Sequence, residues 1–223
     1  EYEIRELLSG ASTTKISIIN CVCPQNCVGL LTNMVKNFKL LTHIDFSNTK
    51  LTTGGLVFDA LIGNTTVINL NLYNCEMVNS WQNKMYTMLI TNKTMKCINV
   101  TGNATMFHSY FMRGSSCLKK LSINNINGTE LFLLTSLTSL EIRYQTINIS
   151  CLTSLKELVI NNEQSHLYSL ECIKPMISMN LIKLTVRGAH SSLNLDLLPC
   201  TLSELVLIDS NIIFMHKSEN TSL

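Results

Sequence analysis

The sequence predicts an α/β solenoid, a curved horseshoe with a parallel sheet on its concave face and helices and short turns on its convex face. Three observations predict it. The trio Leu118, Leu121 and Ile123 returns as Leu137, Leu140 and Ile142, then as Leu155, Leu158 and Ile160, each of the form Leu-x-x-Leu-x-Ile. The alternation in its last two apolar positions suits a short strand with one buried face. Trios of this kind start at Thr13, Leu41, Val67, Met95, Leu118, Leu137, Leu155, Leu181 and Leu202. One such unit has no opposite wall, so its apolar face can be covered only by stacking on its neighbours. Hydrophobic residues make up 46% of the 223 residues and charged ones only 14%, as short apolar strands joined by uncharged turns require.

Taken in order, the chain reads as a single domain over residues 1–223. Residues 1–12 read as an N-terminal helix or partial repeat that caps the stack: Ile4, Leu7 and Leu8 share a face and Gly10 suits a helix stop. About nine repeats fill residues 13–212. In each, positions one, four and six point inward; Leu41, Ile44 and Phe46 are one set, and Leu202, Leu205 and Leu207 the last. After the first strand, Pro24 suits a first helical turn, and Cys27, Leu31, Met34, Val35 and Phe38 recur at helical spacing. The second connection places Leu56, Ala60 and Leu61 on one face, with Gly63 as a stop. In the third, Ser80 caps a helix that carries Trp81, Met85, Met88 and Leu89. The fourth holds Phe107, Tyr110 and Phe111 in a helix or long turn. Intervals of 19 and 18 residues leave the fifth and sixth repeats room for a tight turn only. The seventh is longer, with Leu167, Leu170 and Ile173 before Pro175. Residues 213–223 form a cap or tail, and the apolar run Ile212–Met215 is expected to cover the final layer.

The pattern resembles the leucine-rich repeat, L-x-x-L-x-L-x-x-N/C-x-L, from Thr13 to Ile212. Its ninth position is Cys21, Thr49, Cys75 and Asn103 in the first four repeats, then Ile126, Gln145, Glu163, Ala189 and Ser210, a departure from the family's pattern. The stretch Leu41–Asn64 is similar to the long ribonuclease-inhibitor-like subclass, which implies convex helices in the N-terminal half. The resemblance implies a concave sheet face built from positions two, three, five, seven and eight. Tyr and Arg dominate binding hot spots, so the residues expected to touch a partner there are Asn71, Tyr73, Lys96, Lys119, Lys120, Arg143, Tyr144 and Arg187.

Charge narrows the partner. The net charge is +2, but Met77–Thr129 has no Asp or Glu and six Lys or Arg, leaving the remainder at 2 − 6 = −4. The window reads either as a solvated basic surface or as the dock of an acidic protein partner over the middle repeats. Basic residues without interleaved aromatics argue against single-stranded nucleic acid. No run of eighteen apolar residues exists, so no membrane insertion is expected. Of nine Cys, Cys21 is expected to face inward and Cys23 outward, with no fourth ligand near Cys21, Cys23 and Cys27. The five His fall in different repeats. No metal, cofactor or catalytic motif is indicated, and an enzyme is not expected. Sequons occur at Asn64, Asn92, Asn99, Asn103, Asn127, Asn148 and Asn220; roughly five would arise from composition alone. Asn103 is expected in the core, whereas Asn64 and Asn92 read as surface turns open to a glycan. The resulting expectation is a non-enzymatic module that binds a protein on its concave face, as an adaptor or inhibitor in a larger assembly, in the reducing cytoplasm. The alternative is a secreted or cell-surface receptor or adhesin ectodomain of a parasite or virus. The sequence carries no signal of oligomeric state.

Overall fold

The structure, a computed structural model, describes residues 12–23, 25–51, 55–77, 80–103, 107–108, 117–124, 126–127, 134–143, 149, 152–161, 180–188, 190–194 and 198–215, with backbone alone at 25–27, 80, 82, 107–108, 126–127, 190–194 and 211–215. The first coil carries β1 (Lys15–Ser17), β2 (Val22–Cys23) and α1 (Gln25–Asn37). Then follow β3 (His43–Asp45), β4 (Lys50–Leu51), α2 (Gly55–Ile62), β5 (Asn69–Asn71) and α3 (Ser80–Thr91). The middle holds β6 (Cys97–Asn99), β7 (Phe107–His108), β8 (Lys120–Ile123) and β9 (Ile126–Asn127). The C-terminal part holds β10 (Ser139–Arg143), β11 (Glu157–Asn161), β12 (Lys183–Arg187), β13 (His190–Asn194), β14 (Glu204–Ile208) and β15 (Asn211–Met215).

Nine strands form one sheet in chain order, β1-β3-β5-β6-β8-β10-β11-β12-β14, with every pair parallel. Each begins two residues after one of the nine trio starts. The fourth positions align across the whole sheet: Ile16, Ile44, Leu70, Ile98, Leu121, Leu140, Leu158, Leu184 and Leu205. Such in-register layers follow from the period-two pleat, because a slip of one residue would turn every apolar side chain to the wrong face. From the second coil to the eighth, positions one, four and six are fully buried in one continuous core. The final trio departs from expectation. Leu202 and Leu205 are only partly buried and Leu207 is 36% exposed, because β14 is the sheet's edge and has a neighbour on one side only.

The convex side differs between the halves. Val28, Leu31, Met34 and Val35 of α1 are buried, as are Trp81, Met85, Met88 and Leu89 of α3. In α2 the buried face is Val57, Phe58, Ala60 and Leu61, while Leu56 is turned outward; the expected face was rotated by one residue. Phe107 lies in β7, which pairs with β9, rather than in a helix. Parallel pairs also join β2 to β4 and β13 to β15. Thus Asn211–Met215 runs beside β13 as a strand. The expected N-terminal helix and the seventh connection, Leu167 to Pro175, lie outside the described residues, as do Tyr110 and Phe111.

Two ladders of side chains tie coil to coil on the N-terminal side. In the first, the ninth-position side chain donates to the sixth-position carbonyl of the coil before it. Thr49 Oγ1 reaches Ile18 O at 2.8 Å, Cys75 Sγ reaches Phe46 O at 2.9 Å, and Asn103 Nδ2 reaches Leu72 O at 2.9 Å. Asn103 Oδ1 also accepts from the backbone N–H groups of Cys75 and Met77. In the second, Asn64 Nδ2 donates to Val35 O, and Asn92 Nδ2 donates to Leu61 O and Asn64 O. Each of these asparagines also accepts backbone N–H groups two and three residues ahead through Oδ1. Both ladders satisfy buried backbone groups that strands this short leave unpaired.

The eighth position is a turn rather than a display position. Asn20, Asn48, Asn74, Gly102, Gly188 and Asp209 all have positive φ there, between 48° and 80°. Asn, Asp and Gly are the residue types that tolerate this left-handed geometry. The chain must reverse at that point to leave the sheet and pass beneath it.

Candidate binding face

The sheet face opposite the core carries three ordered rows. Position three supplies Lys15, His43, Asn69, Cys97, Lys120, Ser139, Glu157, Lys183 and Glu204. Position five supplies Ser17, Asp45, Asn71, Asn99, Ser122, Glu141, Val159, Thr185 and Val206. Position seven runs along the strand ends, and it includes Tyr73, Thr101, Asn124, Arg143, Asn161 and Arg187. Five adjacent strands, β1 to β8, enclose a depression of about 370 Å³ lined by Lys15, His43, Asp45, Asn71, Asn99 and Lys120 among others. The face is therefore concave there.

Within the depression the polar groups are held in place. Asp45 Oδ1 accepts from Ser47 N at 3.0 Å and from Asn71 Nδ2 at 3.0 Å. Asn71 Oδ1 accepts from Tyr73 N, and Asn99 Oδ1 from Thr101 N. The same Asx turn repeats in three successive coils, which rigidifies the strand ends. Thr42 Oγ1 lies 2.8 Å from His43 Nδ1. Cys97 stands in the same row, between Asn69 and Lys120. Burial pushes its thiol pKa up, and the ammonium groups of Lys120 and Lys96 pull it partly back.

The predicted partner-touching residues divide into three groups. Asn71 belongs to the depression. Lys96 and Lys119 stand exposed just before β6 and β8, and Lys120 is exposed at the start of β8. Tyr73, Arg143 and Arg187 lie half-buried on the seventh-position rim, where Arg143 Cζ sits 5.8 Å from the centre of the Tyr73 ring. Tyr144 lies outside the described residues. Thr101 and Asn161 at position seven and Thr185 at position five, places expected to display their side chains, are in fact buried. Sequence reasoning missed Lys15 and Cys97 as members of the depression, although their shared third position in the repeat was the available signal.

The basic window does not act as one patch. Lys84 is on α3, on the opposite side of the molecule, in an ion pair with Asp59. Among the described residues of the window, Lys96, Lys119 and Lys120 border the sheet face, and Lys120 Nζ is 4.0 Å from Glu157. Lys183 and Glu204 pair at 2.5 Å.

The cysteines reverse the expected pattern at the first coil. Cys21 is exposed and Cys23 is buried. Cys23 lies in β2 and alternates into the core. Cys21, in the first described coil, turns its thiol to Ile19 O at 3.3 Å instead of to a preceding coil. Cys75 is fully buried and its thiol pKa is pushed from 9.0 to about 11, chiefly by desolvation. Among the described residues no three His, Cys, Asp or Glu converge as metal ligands would, and no helix is long and apolar enough to cross a membrane.

One sequon asparagine is also corrected, and a second is partly engaged by the fold. Asn92 is 2% exposed and spends both amide hydrogens on Leu61 O and Asn64 O. Asn64 is tied to Val35 O. A glycan on Asn92 Nδ2 would replace one of those bonds and find no room. Asn103 is buried as expected.

No protein-family model matches the chain. No curated protein matches it either. Among solved structures it is similar to an internalin, InlF, from Listeria monocytogenes, a leucine-rich repeat protein, with a TM-score of 0.58 over 94% of this chain and 68% of that one, at 18% identity. The fold is a leucine-rich repeat solenoid. The nine leucine-rich repeats account for the in-register core, the turn at position eight and the ninth-position ladder. The identity is too low for the likeness to carry more than the fold.

Proposed function

We propose that this chain is a non-enzymatic recognition module that holds a protein partner on its concave sheet face. The observation that carries the reading is the depression across β1, β3, β5, β6 and β8, whose polar groups are fixed by repeated Asx turns before any partner arrives. A preorganised surface loses little conformational entropy on binding. A rigid concave sheet with Tyr73 and Arg143 already stacked at its rim suits a macromolecular surface better than a small substrate. An acidic partner over the middle repeats is favoured by Lys96, Lys119 and Lys120, which are exposed beside one another at the sheet entrance. We read the role as that of an adaptor or inhibitor within a larger assembly. The helices after each of the first three sheet strands support the ribonuclease-inhibitor-like layout for the N-terminal half. A reducing, cytoplasmic setting is favoured by the buried thiol of Cys75 and by Asn64 and Asn92, whose amides serve the fold.

Affinity capture from a native extract with the wild-type chain, an Asn69→Trp variant and a Lys36→Trp variant tests the face. Asn69 borders the depression, whereas Lys36 is exposed on α1, at the convex side. The proteins recovered by wild type should be lost with Asn69→Trp and kept with Lys36→Trp. Retention by both variants would place the partner elsewhere.

A further inference from the structure

Arg143 and Arg187 share one peculiarity. The Nε of each is buried, and among the described residues neither has a hydrogen-bond partner. Among the described residues neither arginine has an ion pair. Unpartnered buried donors are rare because the group has given up water and gained nothing in return. Two of them, at the same atom of the same residue type in the same row of the repeat, are not a random defect.

Their placement explains the burial. Arg143 and Arg187 flank Asn161 in register across β10, β11 and β12. Asn161 is only 1% exposed, although it stands on the sheet's open side. Arg143 reaches back along the rim to Tyr73, three coils away, and its guanidinium is held over the ring. Among the described residues no acceptor ties either Nε down, so raising the side chain from the rim breaks no described hydrogen bond there. Raising it frees the Nε–Nη edge, which is the edge that grips a carboxylate in the bidentate fork.

We infer that Arg143 and Arg187 form a paired carboxylate clamp, one acidic side chain of a protein partner docking on each. The clamp rests on the reading of the concave face as a protein-binding surface and adds the chemistry it selects. The two arginines are two strand spacings apart, about 9.6 Å. In a polyproline II segment residues i and i+3 stand on the same side about 9.3 Å apart, whereas in a β-strand they point to opposite faces. The favoured ligand is therefore an acidic segment in that threefold conformation, laid along the rim with Asp or Glu at every third residue.

The test uses the full chain and a fluorescein-labelled peptide of Asp-Gly-Ser repeats, read by anisotropy. Its Asn-Gly-Ser twin and an oligodeoxythymidine of equal charge serve as comparison probes. Wild type should bind the acidic peptide in preference to both. Arg143→Gln and Arg187→Gln should each weaken binding about tenfold or more, and Lys36→Gln should leave it unchanged. Equal binding by the arginine variants, or by the Asn twin, overturns the clamp. Tighter arginine-dependent binding of the oligonucleotide overturns the protein assignment. A second readout guards against misfolding: free Arg187→Met should melt no lower than wild type, since it loses an unsatisfied donor. A clear drop in its melting temperature would assign Arg187 to the fold and not to a ligand. Because the peptide titration does not involve Asn69, loss of the clamp leaves the capture experiment on the concave face free to succeed.

Discussion

At the scale of the residue, the polar side chains inside the stack matter more than their number suggests. Asn103 satisfies four backbone groups, Leu72 O, Val100 O, Cys75 N and Met77 N. Asn103→Ala leaves all four buried without partners, and each such loss costs about 1–3 kcal/mol. We expect a destabilisation of about 3 kcal/mol or more, read from the urea midpoint. The position was legible in the sequence, because the ninth place of the repeat favours Asn or Cys. Asn92 was not legible: its partners, Leu61 O and Asn64 O, are brought to it only by stacking. Expression in a glycosylating host should leave Asn92 unoccupied in a peptide map. Cys75 gives a pH signature. Its folded pKa, about 11, lies above the ordinary 9.0, so the protonated thiol is the form the fold favours. Its contribution to stability is complete below pH 9 and is lost as pH rises from 9 through 11. Alkylation at pH 8 should label exposed Cys21 and Cys200 quickly and Cys75 only on unfolding.

At the scale of the element, the turn after each sheet strand is the most demanding piece of backbone. Gly102 has φ +80°, and a Cβ there would lie 3.0 Å from both Cβ and N of Asn74. Gly102→Ala combines left-handed strain, about 1–2 kcal/mol, with a contact the neighbouring coil must yield to. Loss of stability in a denaturant titration should exceed that of Gly63→Ala, where nothing lies within 4 Å of the added carbon. The sequence shows why the turns recur, since Asn, Gly or Asp stands at the eighth position of most repeats. It also misled, because a polar residue after a strand reads as well for display as for a turn. Similarly, the helical periodicity of Leu56, Ala60 and Leu61 marked α2 but not which flank it buries. That flank was set by how α2 lies between α1 and α3.

At the scale of the whole molecule, the stack is close to one-dimensional, and stability varies along it. Leu140 is fully buried between Leu121 and Leu158, whereas Leu207 lies on the edge strand and is 36% exposed. Leu140→Ala should cost about 2–5 kcal/mol and Leu207→Ala well under half as much, measured by equilibrium denaturation. Deleting residues 211–223 removes β15 and its five-residue register with β13. We expect a lower melting temperature and earlier hydrogen exchange in β12 and β14, with β5 and β6 nearly unaffected. The binding face is likewise a whole-molecule property. Each coil contributes two or three side chains to it, and only nine coils in register make rows.

The sequence by itself determined the order of the described sheet strands and their inward trios, because periodicity and burial are the same information in a repeat. Only the tertiary structure decided which polar residues serve the fold and which are left for a partner. Thr101 and Asn161 look as available as Arg143 along the chain, but neighbouring coils cover the first two and leave the arginine's Nε without an acceptor. That distinction depends on lateral contacts between residues some twenty positions apart, and a one-dimensional pattern carries no record of them.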